Sequence, residues 1–221
     1  MASYQARQRD PLFDQDTQAV LERRGKELVG GLLVLLGVLA SMMLFSYHPE
    51  DPSWMAASDE PVQNWLGRIG AGIASPLFVI VGHGAWLLPA ALLTWGARMI
   101  THRGEERLAG RIIFFPIAVA VAAVYAALLV PDDQWGQAFG LGGHFGDMIA
   151  GTLLGIVPVS GTVGLKLLSL VLAVAMLAMA GFVLGFTKPE LRAITRFMWL
   201  GTVAAYVGIS NLLGKGADPD R

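Results

Sequence analysis

The chain has 221 residues, 54% of them hydrophobic and 15% charged, with a mean hydropathy of +0.56. That is too apolar for an ordinary soluble domain and points to a membrane protein. A net charge of −1 with a pI near 6.4 argues against nucleic-acid binding by this segment, and the absence of cysteine removes thiol chemistry and disulfides.

Residues 1–27 read as a polar segment ending in Arg23, Arg24 and Lys26. The first uncharged run, 28–47, has the roughly 20 residues needed to cross about 30 Å of hydrocarbon. It is too long for the apolar region of a signal peptide, and no A-x-A site follows it, so it reads as an uncleaved anchor. Further runs predict spans at 73–97, 112–130 and 163–186, separated by outer loops 48–72 and 131–162. Within the second loop, 139–158 is Gly-rich with an apolar patch that ends at Pro158, and predicts a short helix on the outer interface. Residues 187–221 read as a cytoplasmic juxtamembrane segment, with an interfacial helix over 197–213 anchored by Arg192, Arg196 and Trp199.

Lys and Arg set the orientation. They precede span 1, fill the link between spans 2 and 3 (Arg98, Arg103, Arg107, Arg111) and follow span 4 (Lys188, Arg192, Arg196), whereas 48–72 carries only Arg68 and 131–160 carries none. Both termini are therefore expected in the cytoplasm. The fold class is all-α integral membrane: four transmembrane helices, a short outer interfacial helix and a cytoplasmic juxtamembrane helix.

The stretch after span 1, Ser46-Tyr47-His48-Pro49-Glu50-Asp51-Pro52-Ser53-Trp54, has two prolines that end the helix and polar side chains that close turns. Tyr47 and Trp54 have amphipathic rings suited to the headgroup level. Read from chemistry alone, this is a helix stop clamped at the outer surface. The pattern carried by Ser46, Tyr47, Pro49, Asp51, Pro52, Ser53 and Trp54 also resembles the segment after the first membrane helix of FtsK-type (FtsK/SpoIIIE) bacterial DNA translocases. In span 2, Gly82, Ala85, Trp86 and Pro89 are similar to a second motif of that family. Gly142, Gly143, Gly146 and Gly161 are similar to its outer glycine loop. His83 departs from the pattern.

The resemblance implies an anchor and assembly domain at the division septum of the bacterial inner membrane. It would tether a hexameric cytoplasmic motor that moves DNA and would contact other division proteins. Homo-oligomerisation, cell division and chromosome partition belong to that expectation, with ATP, magnesium and DNA engaged only by a motor lying outside this segment. Within it the expectation is no catalysis, no cofactor and no metal. Gly208 to Gly216 imitates a phosphate loop but has one residue too many between its glycines and lacks the Ser/Thr that would hold magnesium.

Gly181 with Gly185, and Ala122 with Ala126, place small side chains four apart on one helix face, the spacing of helix packing in lipid. Lys166 can snorkel to the headgroups. Trp54, Trp65 and Trp135 are candidates for partner contact. His48, Asp51, Asp132, Asp133 and His144 face one compartment and could converge on a metal, but no pair has ligand spacing on one helix, and they read as solvated loop residues. The rival function is a small transporter or channel using an intramembrane His83 pathway; it requires a polar partner for His83 at mid-depth.

Overall fold

A computed structural model describes residues 15–103, 108–133, 135–156 and 161–215, and these residues are all helix, turn or loop with no strand. The helices are α1 (Gln15–Phe45), α2 (Gly67–Val81), α3 (Leu87–Ile100), α4 (Leu108–Ala127), α5 (Gly143–Ile156), α6 (Gly161–Val183) and α7 (Lys188–Lys215), with a 3-10 segment, Gly82–Trp86, between α2 and α3. Four stretches are long and apolar enough to cross a membrane: Thr17–Phe45, Gly67–Ile100, Gly110–Ala127 and Gly161–Val183. Residues 1–14, Arg107, Pro158 and the tail from 216 onward lie outside the described residues.

The helix α1 packs against α3 through small residues. A Cβ on Gly30 would lie 2.8 Å from the Gly96 carbonyl oxygen, and one on Gly37 would lie 2.7 Å from Leu93 Cγ. Such close approach supplies the van der Waals contact that must hold helices together in lipid, where burial of apolar surface gains nothing. The helix ends at Phe45, a turn before Pro49 would break it.

The second candidate span, expected over 73–97, runs from Gly67 to Ile100 and is not one continuous α-helix. It breaks at Gly82, whose φ of +54° is a conformation side chains resist, and continues as a tighter 3-10 turn before α3. The part running beside α1, residues 82–100, is about 31 Å long by helical rise, close to one hydrocarbon thickness. By contrast, α2 lies across the end of α1: the approach to α2 touches Met43 and Ser46 through Asn64, while Phe78, near its far end, stacks on Tyr47. A small apolar cluster of Met43, Leu44, Ala74, Phe78 and Ala85 fills that corner.

The helix α4 pairs with α6 and receives α5 at its far end. Pro116 sits inside α4 and Pro76 inside α2; each leaves one carbonyl without its helical donor, which membrane helices tolerate when neighbouring groups compensate. Of α6, only Gly164 and Val183 are buried, and one face of the helix, from Leu167 to Leu177, is exposed and apolar.

The described residues from Gly185 onward form a separate unit. In it, Thr187 and Glu190 close a capping box on α7: the Thr187 amide donates to Glu190 Oε2 at 2.8 Å and the Glu190 amide to Thr187 Oγ1 at 3.4 Å. Phe197, Met198, Trp199 and Tyr206 are exposed on this helix.

Candidate functional site

The chemistry of a turn, carboxylate and hydroxyl oxygens aimed at backbone N–H groups, is concentrated where α1 ends. Asp51, expected as a solvated turn residue, is instead 1% exposed, because its carboxylate accepts from the Gln63 amide at 2.7 Å and the Asn64 amide at 3.0 Å in place of water. Asn64 in turn donates through Nδ2 to the carbonyls of Met43 and Ser46, at 2.9 and 3.3 Å, and accepts the Leu66 amide at 3.1 Å. Ser46 Oγ donates to the Met42 carbonyl and accepts the Trp65 amide, at 2.8 and 3.0 Å. One acid, one amide and one hydroxyl thus satisfy both the last carbonyls of α1 and the first amides leading into α2. Buried backbone groups require such partners.

Ser53 extends the network by donating to Ser75 Oγ at 2.9 Å and accepting the amides of Met55 and Ala56. Tyr47 stacks on Phe78 with ring centroids 4.4 Å apart. Burial pushes the Tyr47 phenol above its ordinary value of 10, opposed in part by a hydrogen bond with the Gln137 side chain. Pro49 is exposed at the turn, and His48 Nδ1 lies 3.2 Å from the Ser46 carbonyl. Above this locked base Trp54 stands 90% exposed, its indole edge over Gly72 and flanked by Pro52 and Arg68 in a shallow open groove. Trp65 is also exposed and leans on Phe45, with centroids 5.6 Å apart.

The break in span 2 is held by the glycine loop. The His83 amide donates to the Leu141 carbonyl at 2.8 Å, and a Cβ on Gly82 would collide with that oxygen. Gly143, with φ +67°, faces back: its Cβ would lie 2.6 Å from the Gly82 amide nitrogen. Gly142 and Gly146 lie against the Ala123 carbonyl of α4, and Gly84 packs on Val119 and Ala123 from the other side. Asp147 Oδ2 accepts the Gly140 amide at 2.7 Å and closes the loop. Ala85 and Pro89 are buried and Trp86 half-buried beside this junction; Gly161 opens α6 with space around it.

His83 lies at the break in span 2, against the glycine loop. Its ring is exposed, with Nδ1 3.3 Å from the Leu141 carbonyl and Trp135 5.4 Å away, in the same layer as the glycine loop. Ala122 and Ala126 are buried, Gly181 has nothing within reach of an added Cβ, and Gly185, with φ +79°, lies just past the end of α6. Lys166 is exposed in the first turns of α6. Asp132, Asp133, His48 and His144 are exposed, and among the described residues no three His, Asp or Glu side chains converge as a metal site would require.

The opposite end of the bundle gathers the cations. Arg24 and His102 both hydrogen-bond Glu27, which precedes the uncharged part of α1. Trp95 Nε1 donates to the Val183 carbonyl at 2.8 Å and Arg98 Nε to the Leu184 carbonyl at 3.2 Å. The start of the α1 span, the end of α3 and the end of α6 are thereby brought to one level.

Asn64, Gln63, Ser75 and Asp147 are site residues that sequence reasoning missed. Asn64 meets Asp51, Ser46 and Met43 across 13 to 21 residues, a pairing with no local signature, whereas an acid just inside a helix that follows a glycine loop was a usable signal for Asp147.

Comparison with known proteins adds an independent finding. A family profile described as the 4TM region of DNA translocase FtsK/SpoIIIE matches residues 22–211. Similar curated proteins include the DNA translocase FtsK of Bradyrhizobium diazoefficiens, 36% identical over 58% of this chain and 16% of its own length. That of Azospirillum brasilense is 30% identical over 97% of this chain and 34% of its own, and that of Mesorhizobium japonicum 34% identical over 67% and 18%. The chain thus spans between about a sixth and a third of these relatives. No solved structure is significantly similar to it.

Proposed function

The chain belongs to the family of the 4TM region of DNA translocase FtsK/SpoIIIE, and on that premise we propose that it is the membrane anchor that tethers and assembles a DNA-moving motor at the division septum. The observation that carries this reading is the common level of the basic end. With the α1 cations, the α3–α4 link and the end of α6 together, an even number of crossings leaves both flanks of the bundle on the side where Lys and Arg are retained. That side is the cytoplasm of a bacterial inner membrane, where a motor can reach chromosomal DNA. Tethering raises the local concentration of attached subunits, so a weak ring interface closes without strong contacts between anchors. The Asp51-locked platform then faces outward and offers Trp54 to division partners; a rigid aromatic on a preorganised base loses little freedom on binding.

Cysteine-accessibility mapping tests the orientation, helped by the absence of native cysteines. In cells, Ala57→Cys should react with an impermeant maleimide, whereas Thr101→Cys and Asp218→Cys should react only after permeabilisation. Outside labelling of Asp218→Cys would place 197–213 across the bilayer and defeat the tether.

A further inference from the structure

The helix α2 has two opposed sides. Gly70, Ala71, Ala74, Ser75 and Phe78 fall on one and are buried, where the helix meets α1, α5 and the 3-10 segment. Ile69, Ile73 and Ile80 fall on the other, within about 40° of one another at 3.6 residues per turn, and all three are exposed. The one charge of the helix, Arg68, is in its first turn. We propose that α2 is an interfacial helix: its isoleucine side seats among the acyl chains of the leaflet in which α1 ends, and only residues 82–100 cross the bilayer.

Length supports this first. The Gly67–Ile100 stretch is roughly 50 Å long by helical rise, about 20 Å more than one hydrocarbon thickness. Residues 82–100 already match that thickness, so α2 is surplus, and the positive φ of Gly82 is where the surplus turns aside. Level comes second. Asn64, just ahead of α2, bonds the Met43 and Ser46 carbonyls, and Phe78, near its far end, stacks on Tyr47. Both ends of α2 thus lie beside the last turn of α1, at the edge of the hydrocarbon. Continuity comes third. Leu35, Val38, Met42 and Phe45 share one exposed side of α1, the Phe45 ring meets Trp65, and Trp65 stands four residues before Ile69. An apolar strip that begins within the span therefore carries on toward α2. Arg68 and Trp54 flank the helix together, a guanidinium and an amphipathic ring of the kind that settle among headgroups. Three isoleucines offer no directional group; acyl chains need none, whereas specific protein recognition uses them. Seated in this way, α2 sets the height of the Asp51-locked turn above the acyl chains. The inference holds whichever side of the bilayer is cytoplasmic, so it fails separately from the proposed orientation.

The test uses the whole chain, purified and reconstituted into phosphatidylcholine and phosphatidylglycerol liposomes, and is helped by the absence of native cysteine. A nitroxide label is attached at Ile69→Cys, Ile73→Cys or Ile80→Cys, exposed positions where it leaves the core intact. Ala57→Cys in the loop is the aqueous reference, and Val171→Cys, midway along α6, is the deep one. Collisions of each label with oxygen and with a water-soluble nickel chelate are measured by EPR power saturation. The three α2 labels should meet the chelate several-fold less often than Ala57→Cys does, and should share one shallow depth, about 5–10 Å into the boundary between headgroups and chains. Val171→Cys should lie deeper. Chelate access equal to that at Ala57→Cys would put the isoleucine side in water and overturn the proposal. A depth that changes by about 16 Å from 69 to 80, at 1.5 Å per residue, would make α2 part of the crossing and overturn it too. Exclusion of both reagents, with spin–spin broadening between chains, would assign that side to a second copy instead of lipid.

Discussion

The end of α1 and the length of α6 are held by opposite means. At the end of α1, Asp51, Asn64 and Ser46 make directional bonds to backbone groups of two helices, and each bond has one geometry that satisfies it. By contrast, α6 presents Leu167, Leu170, Val171, Val174 and Leu177 outward and is fixed near its end by Trp95 and by Phe114, whose ring meets Phe182 edge-on. Where the chain leaves the hydrocarbon, unsatisfied polar groups are costly and polar bonds specify shape. Within the hydrocarbon, a helix satisfies its own backbone, so only close packing or a few anchoring bonds decide where it stands.

The comparison breaks most visibly at Asp51. Asp51→Ala would leave two backbone donors in a buried site without acceptors, an expected loss of about 3–5 kcal/mol, measured as a lower denaturation midpoint in detergent; a change below about 1 kcal/mol would show the network to be ornamental. Next comes a pair of glycines. Gly82→Ala places a methyl on the Leu141 carbonyl at positive φ and should cost about 2 kcal/mol or more, whereas Gly181→Ala meets open space and should be neutral or raise stability by up to about 1 kcal/mol. If Gly181→Ala instead reduced the oligomer seen by crosslinking, that face would be a contact between copies. Trp95→Phe removes the bond to the Val183 carbonyl but keeps the ring beside Phe115, and should cost about 1 kcal/mol, read as easier proteolysis of α6.

The smallest effect concerns pH. The folded Tyr47 phenol titrates above its unfolded value, because burial disfavours the phenolate, so its contribution is fully present below about pH 10 and is lost as pH rises through the folded value. An alkaline melt should therefore decline less in Tyr47→Phe than in wild type. Identical slopes would place the phenol in effective contact with solvent.

Much of this was legible in the chain itself. Hydropathy and length gave four candidate spans, since crossing lipid imposes a minimum run of uncharged residues that composition alone reveals. Pro49 told where α1 must stop, because a missing amide and a fixed φ act locally. The helix after the glycine loop was also foreseeable, although its seat on Ala123 was not. The fold alone decided that Asp51 reaches forward to residues 63 and 64, that α2 lies across α1, and that span 2 bends at Gly82 onto Leu141. A carboxylate beside prolines can be satisfied equally by water or by distant amides, and a glycine can serve a bend or a close approach. Local sequence fixes which bonds a residue is able to make, whereas the partner is chosen by what packing brings within three ångströms and shields from solvent.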